Sequence, residues 1–114
     1  MLKRERGGAR VRDVIAAGDG AMCSVNLGEV LYTELRRLGR EQALPGIELL
    51  RRRLQVIEPD WPLVRAAALV KAVHALSYAD AFCIATAQRL RAPLWTGDPE
   101  ILALADEFEM VDLR

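Results

Sequence analysis

The 114-residue sequence predicts a three-layer α/β/α fold, with a mostly parallel sheet between two layers of helices. Three observations lead there. Short apolar runs alternate with longer stretches whose apolar residues recur at helical spacing. Acidic residues stand at several points where such a run gives way to a helix. Hydrophobic residues make up 52% of the chain and charged residues 28%, the balance of a soluble globular protein rather than a disordered one. At this length one domain is expected, over residues 1–114.

Residues 1–10 are charged and glycine-rich and read as the tail of one element and the loop to the next. Val11, Val14 and Ile15 then predict a short helix over about 9–17, ending at Gly18. Residues 21–25 form an apolar run that fits a strand, though it is too short for periodicity alone to decide. From Asn26 the pattern turns helical, with Leu27, Val30, Leu31, Leu35 and Leu38 on one side and Gly39 as the stop. A second helix is expected over 40–53, ending in Arg51-Arg52-Arg53, where cations complement the helix dipole. Residues 54–58 read as a strand, and Asp60 and Pro62 predict the cap and first turn of a helix over 61–74. Ser77 opens a helix over 78–91. A strand over 92–95, a helix over 99–105 and a final strand over 110–113 complete the chain.

Lys+Arg and Asp+Glu are equal at 16 each, so no bulk positive field marks a purely electrostatic nucleic-acid binder. An enzyme acting on nucleic acid stays open. Cys23 and Cys83 are too few for a disulfide framework or a zinc cluster and read as small core residues of a reducing compartment. No apolar run approaches the roughly 18 residues of a membrane span, so a soluble cytoplasmic protein is expected. The single histidine, His74, fits a core or surface position better than a catalytic base. Neither a nucleophile elbow nor a phosphate-binding glycine loop is present. Trp95 reads as core, and Trp61, at a helix start, is either a surface residue or a base-stacking one.

Three acids then hold attention: Glu29, Asp80 and Asp98. Taken singly, each is explained by helix capping, as Asn26-x-x-Glu29, Ser77-x-x-Asp80 and Asp98-Pro99. Taken together they suggest more. Ligands of open parallel sheets bind where strands give way to helices, and Glu29 and Asp98 both follow strands. Asp80 lies on the helix leading into the strand before Asp98. Converging carboxylates repel unless a cation lies among them, and an oxygen-only set suits Mg²⁺ or Mn²⁺.

The segments Ser24-Val25-Asn26-Leu27-Gly28-Glu29-Val30, Leu76-Ser77-Tyr78-Ala79-Asp80-Ala81-Phe82 and Thr96-Gly97-Asp98-Pro99-Glu100 resemble successive signature segments of the PIN domain, and within it the VapC-type toxins. The resemblance covers nearly all of residues 9–114. It implies a metal-dependent endoribonuclease of a toxin–antitoxin pair, usually dimeric and inhibited by a small antitoxin. It further implies that Glu29, Asp80 and Asp98 hold Mg²⁺ or Mn²⁺ and that the metal activates water against an RNA phosphodiester. On the same footing, Thr96 supports the metal-site network and Asn26 orients the glutamate.

One departure accompanies the resemblance. The family begins with a central strand carrying an aspartate, whereas Leu2-Lys3-Arg4-Glu5 matches the helix after it. The first strand and its acid are therefore expected to be absent from this chain. Two accounts of that gap stand side by side: a longer natural chain, or a sheet completed by rearrangement or by another chain. The alternative to a nuclease is a catalytically impaired PIN fragment that acts through protein–protein association.

Overall fold

The computed structural model describes residues 20–96 and 110–112. β1 (Ala21–Cys23) runs directly into α1 (Ser24–Leu38), and Gly39 turns the chain into α2 (Arg40–Arg53). β2 (Gln55–Ile57), α3 (Trp61–Val73), α4 (Tyr78–Leu90), β3 (Leu94–Thr96) and β4 (Met110–Asp112) follow. The expected helices over 9–17 and 99–105 fall outside the described residues, as does Asp98.

The fold is α/β, and every strand pairing among the described residues is parallel, as expected for strands joined through helices. β1 lies against β2, with Ala21 opposite Gln55 and Cys23 opposite Ile57. β3 lies against β4, with Leu94 opposite Met110 and Thr96 opposite Asp112. Among the described residues these are two separate two-stranded ladders rather than one sheet. α4 contacts both, touching β1 and β3. The strands are also shorter than the apolar runs suggest. Ser24 and Val25, read as strand, already belong to α1. The Ser24 hydroxyl donates to Glu58 Oε1 at 3.0 Å, which ties the start of α1 to the end of β2.

Helix ends follow local chemistry closely. Gly39 has φ 81°, a conformation that glycine adopts without a Cβ clash, and its N–H donates to Leu35 O at 3.0 Å. Asp60 caps α3, its Oδ1 accepting from Leu63 N at 3.0 Å, and Pro62 occupies the first turn where its missing N–H is harmless. Ser77 caps α4, its Oγ accepting from Asp80 N at 3.1 Å. Arg91 ends α4 in the left-handed region at φ 51°, and Ala92 N closes the turn on Ala87 O at 3.0 Å. Arg89 donates from both terminal guanidinium nitrogens to the Asp60 carboxylate, joining the start of α3 to the end of α4.

The main core forms between α3, α4 and the strands. It contains Cys23, Leu63, Ala67, Val70, Leu76, Ala81, Phe82, Ile84, Ala85 and Leu94. Small residues on α3 and α4 let these helices pack closely, and Thr86 is buried with its hydroxyl donating to Phe82 O at 2.7 Å. Cys23 is buried as expected. Cys83 is only partly so and packs against the core's edge. Trp61 resolves to the surface, 71% exposed. No helix among the described residues is long and apolar enough to cross a membrane.

Candidate active site at the seam of two helices

Two of the three sequence-selected acids lie among the described residues. Glu29 is in the second turn of α1, and Asp80 is in the first turn of α4. These helices pack against each other. Asp80 owes its place to Ser77, whose cap starts α4 three residues earlier and takes the Asp80 backbone N–H. The serine half of the expected capping box is therefore present.

Asn26 does not cap α1. The helix begins at Ser24, its N-cap is Cys23, and no side-chain hydrogen bond caps it. Asn26 stands inside the helix one turn before Glu29, on the same face. Its Nδ2 donates instead to Ala79 O, the residue before Asp80, at 2.8 Å. The expected partner of Asn26 was the glutamate; the bond observed runs to the aspartate's helix. Asn26 Oδ1 is buried and has no hydrogen-bond partner. A buried acceptor without a donor is uncommon and marks a place that a water or a cation can satisfy.

Cys83 lies within the electrostatic influence of both acids. Its thiol is pushed up to about 12, first by burial, then by the negative charges of Asp80, Cys23 and Glu29. One sulfur on α4 thus feels both carboxylates, one from its own helix and one from α1.

Asp98 was expected on the same sheet edge as Glu29, with Thr96 beside it; the strand that leads to them belongs to the other ladder. Thr96 is the last residue of β3, at its carboxyl end, and Asp98 lies outside the described residues. Sequence inspection passed over two further acids at the carboxyl ends of strands. Glu58 follows β2 and accepts from Ser24, and Asp112 ends β4 in register with Thr96. The rule that binding residues gather at the carboxyl ends of parallel strands is the signal that could have found them.

A hard divalent cation fits the chemistry of these donors: two carboxylates and an unpaired amide oxygen, with no soft or nitrogen ligand among them. Among the described residues, no three His, Cys, Asp or Glu side chains stand close enough together to hold a metal by themselves. Glu29 and Asp80 are therefore at most part of a ligand set whose remaining oxygens come from elsewhere, as Mg²⁺ with its retained waters commonly requires.

Neither the comparison with curated proteins nor that with solved structures gives a match. The PIN domain family model, in contrast, matches residues 1–107, almost the whole chain. That span contains Asn26, Glu29, Asp80, Thr96 and Asp98, and the α/β architecture with parallel strands agrees with it. The chain belongs to the PIN domain family.

Proposed function

We propose that this protein is a metal-dependent endoribonuclease of the VapC type, the toxin of a toxin–antitoxin pair. PIN domains are typically metal-dependent nucleases, and membership supplies the reaction class. The observation that supports the reading for this chain is that α1 and α4, which carry Glu29 and Asp80, pack against each other, with the charges of both acids acting on the Cys83 thiol. Glu29, Asp80 and Asp98 would hold Mg²⁺ or Mn²⁺. A bound ion of this kind lowers the pKa of water and stabilises charge on a phosphoryl oxygen. The chain's own contribution is placement. Ser77 starts α4 so that Asp80 falls in its first turn, and α1, the helix of Glu29, packs on α4. Thr96, at the strand end before Asp98, would support the network.

In this reading the protein works with RNA as substrate, a small antitoxin as inhibitor and a second copy as dimer partner. Trp61, Leu69 and Val73, all more than half exposed on α3, offer apolar surface of the kind that association covers. Cleavage of single-stranded RNA in Mg²⁺ or Mn²⁺ tests the activity. The wild type should cut, chelation should stop it, and Asp80→Asn and Glu29→Gln should each reduce the rate by on the order of a hundredfold or more. Wild-type rates in both variants would exclude the metal assignment.

A further inference from the structure

α3 and α4 are tied to each other at both ends, and the two ties differ in what they hold. At one end Arg89 donates to both oxygens of Asp60, at 3.1 and 2.6 Å, joining the last turn of α4 to the cap of α3. At the other end Lys71, in the last turn of α3, donates from Nζ to Leu76 O at 2.9 Å. A lysine near a helix C-terminus ordinarily bonds the last carbonyls of its own helix. This one reaches past them, since α3 ends at Val73 and Leu76 lies in the connection to α4.

Leu76 is held at three points. Its carbonyl takes the lysine, its N–H donates to His74 O at 2.9 Å, and its side chain is buried in the core. The next residue is Ser77, the cap of α4. Its Oγ accepts from Asp80 N and its carbonyl from Ala81 N, both at 3.1 Å. A helix turns by about 100° per residue from its first turn onward. The place of Ser77 therefore sets where α4 starts and the direction in which Asp80 leaves it.

We propose that Lys71 is a positioning residue for Asp80: its ammonium holds the Leu76 carbonyl and so fixes the start of α4, on which the placing of the Asp80 carboxylate depends. The proposal rests on the metal-site reading above and adds to it a cation from outside the ligand set. Charge and position act here with opposite signs. By charge alone, removing a lysine strengthens the binding of a cation to the chain. By position, removing it frees the start of α4 and weakens that binding, by about tenfold or more for a group that orients a ligand.

Three variants and two readouts test this on the full chain. Lys71→Met keeps an aliphatic stem without the ammonium, and Lys71→Arg keeps a charged donor. Arg89→Met unties the opposite end of the same two helices, about 13 Å along α4 from Asp80. Mn²⁺ titration by calorimetry reads the metal. Amide exchange at Asp80 and Ala81, measured without metal, reads the start of α4. Lys71→Met should lower Mn²⁺ affinity by about tenfold and quicken exchange at both amides by about tenfold, the scale of one lost hydrogen bond. Lys71→Arg should recover most of both. Arg89→Met should change neither by more than about twofold, as expected of a distant site.

Unchanged or tighter Mn²⁺ binding in Lys71→Met overturns the positioning role. So does an equal loss in Arg89→Met, which marks a general loosening of the two helices. A Lys71→Arg variant no better than Lys71→Met overturns the part given to the hydrogen bond. Asp80→Asn tells these failures from failure of the metal site itself. If Asp80→Asn loses Mn²⁺ while Lys71→Met does not, the site stands and the proposal falls. If Asp80→Asn binds like wild type, the metal-site reading falls and exchange alone decides: quickened at Asp80 and Ala81 in Lys71→Met, it upholds the hold on α4, and unchanged, it overturns it.

Discussion

The α3–α4 block and the α1–α2 hairpin are built from helices of similar length but hold together differently. α3 buries Leu63, Ala67 and Val70, and α4 buries Ala81, Phe82, Ile84, Ala85 and Thr86. In the hairpin, α1 buries only Leu27, and α2 only Ala43 and Ile47. Both regions leave large apolar residues in the open, Tyr32, Leu38, Leu44 and Leu49 in the hairpin and Trp61, Leu69, Val73 and Tyr78 in the block, so the difference lies in what each buries. Exposed ion pairs within each helix, Arg37–Glu34 and Arg51–Glu48, contribute little in such positions. Pro45 lies inside α2, where it withdraws one backbone donor. The block is a core and the hairpin an attachment to it. Glu29 belongs to the hairpin and Asp80 to the block, so their spacing depends on a join between a firmly packed region and a looser one.

The most severe way to break this contrast is in the block. Leu63 is 1% exposed, and Leu63→Ala should destabilise the fold by about 3 kcal/mol, read from chemical unfolding. A cost below about 1 kcal/mol would mean that the core does not bear on α3 as described. At the seam, Cys83 should react with a thiol reagent at pH 8 on the order of a hundredfold more slowly than in the unfolded chain. The same shift has a sign in stability. Because the folded thiol holds its proton above its ordinary value of 9.0, its contribution is full below about pH 9 and is lost as pH rises toward about 12. Cys83→Ala should flatten that alkaline decline in melting temperature; an unaltered profile would assign it to other groups.

Smaller effects sharpen the comparison. Ser77→Ala removes the cap of α4 and should lower stability by about 1 kcal/mol, with faster amide exchange confined to the first turn around Asp80. Exchange spreading through all of α4 would contradict so local a role. Arg89 holds the Asp60 carboxyl below its ordinary value, with the Leu63 N–H contributing next. The resulting stabilisation is present above the usual carboxylate range and is lost as pH falls through the lowered value. The pair is exposed, so solvent weakens it, and Asp60→Asn should remove only a modest part of the acid dependence. In the hairpin, Leu49 is 58% exposed, and Leu49→Ala should change stability by no more than about 0.5 kcal/mol. A larger loss would show that the hairpin's outer face is covered in solution.

Much of this fold is legible residue by residue. Asp60 before Trp61-Pro62, Ser77 three residues before Asp80, and Gly39 after Leu38 each set a helix boundary through a local bond or a permitted φ. Such signals act within one turn and need no tertiary partner. Asn26 misled for the same reason. By local chemistry it is a competent cap, but a partner 53 residues away takes its amide, and a spacing argument has no access to that distance. The pairing of strands was likewise hidden. Three-residue strands carry almost no period, and their division into two ladders depends on which backbone edges meet.

By itself, then, the sequence determined the α/β class, the parallel sense of its strands and its helix ends. Those follow from hydrophobic period, connection length and capping, all short-range properties. It also singled out Glu29, Asp80 and Asp98 as acids worth joining. The tertiary structure decided how the helices of the first two meet: α1 packs on α4, Cys83 feels the charges of both acids, and Asn26 bridges the helices while leaving one buried oxygen unpaired. Packing between distant segments sets those relations, because the free energy of an interhelical contact depends on both surfaces at once.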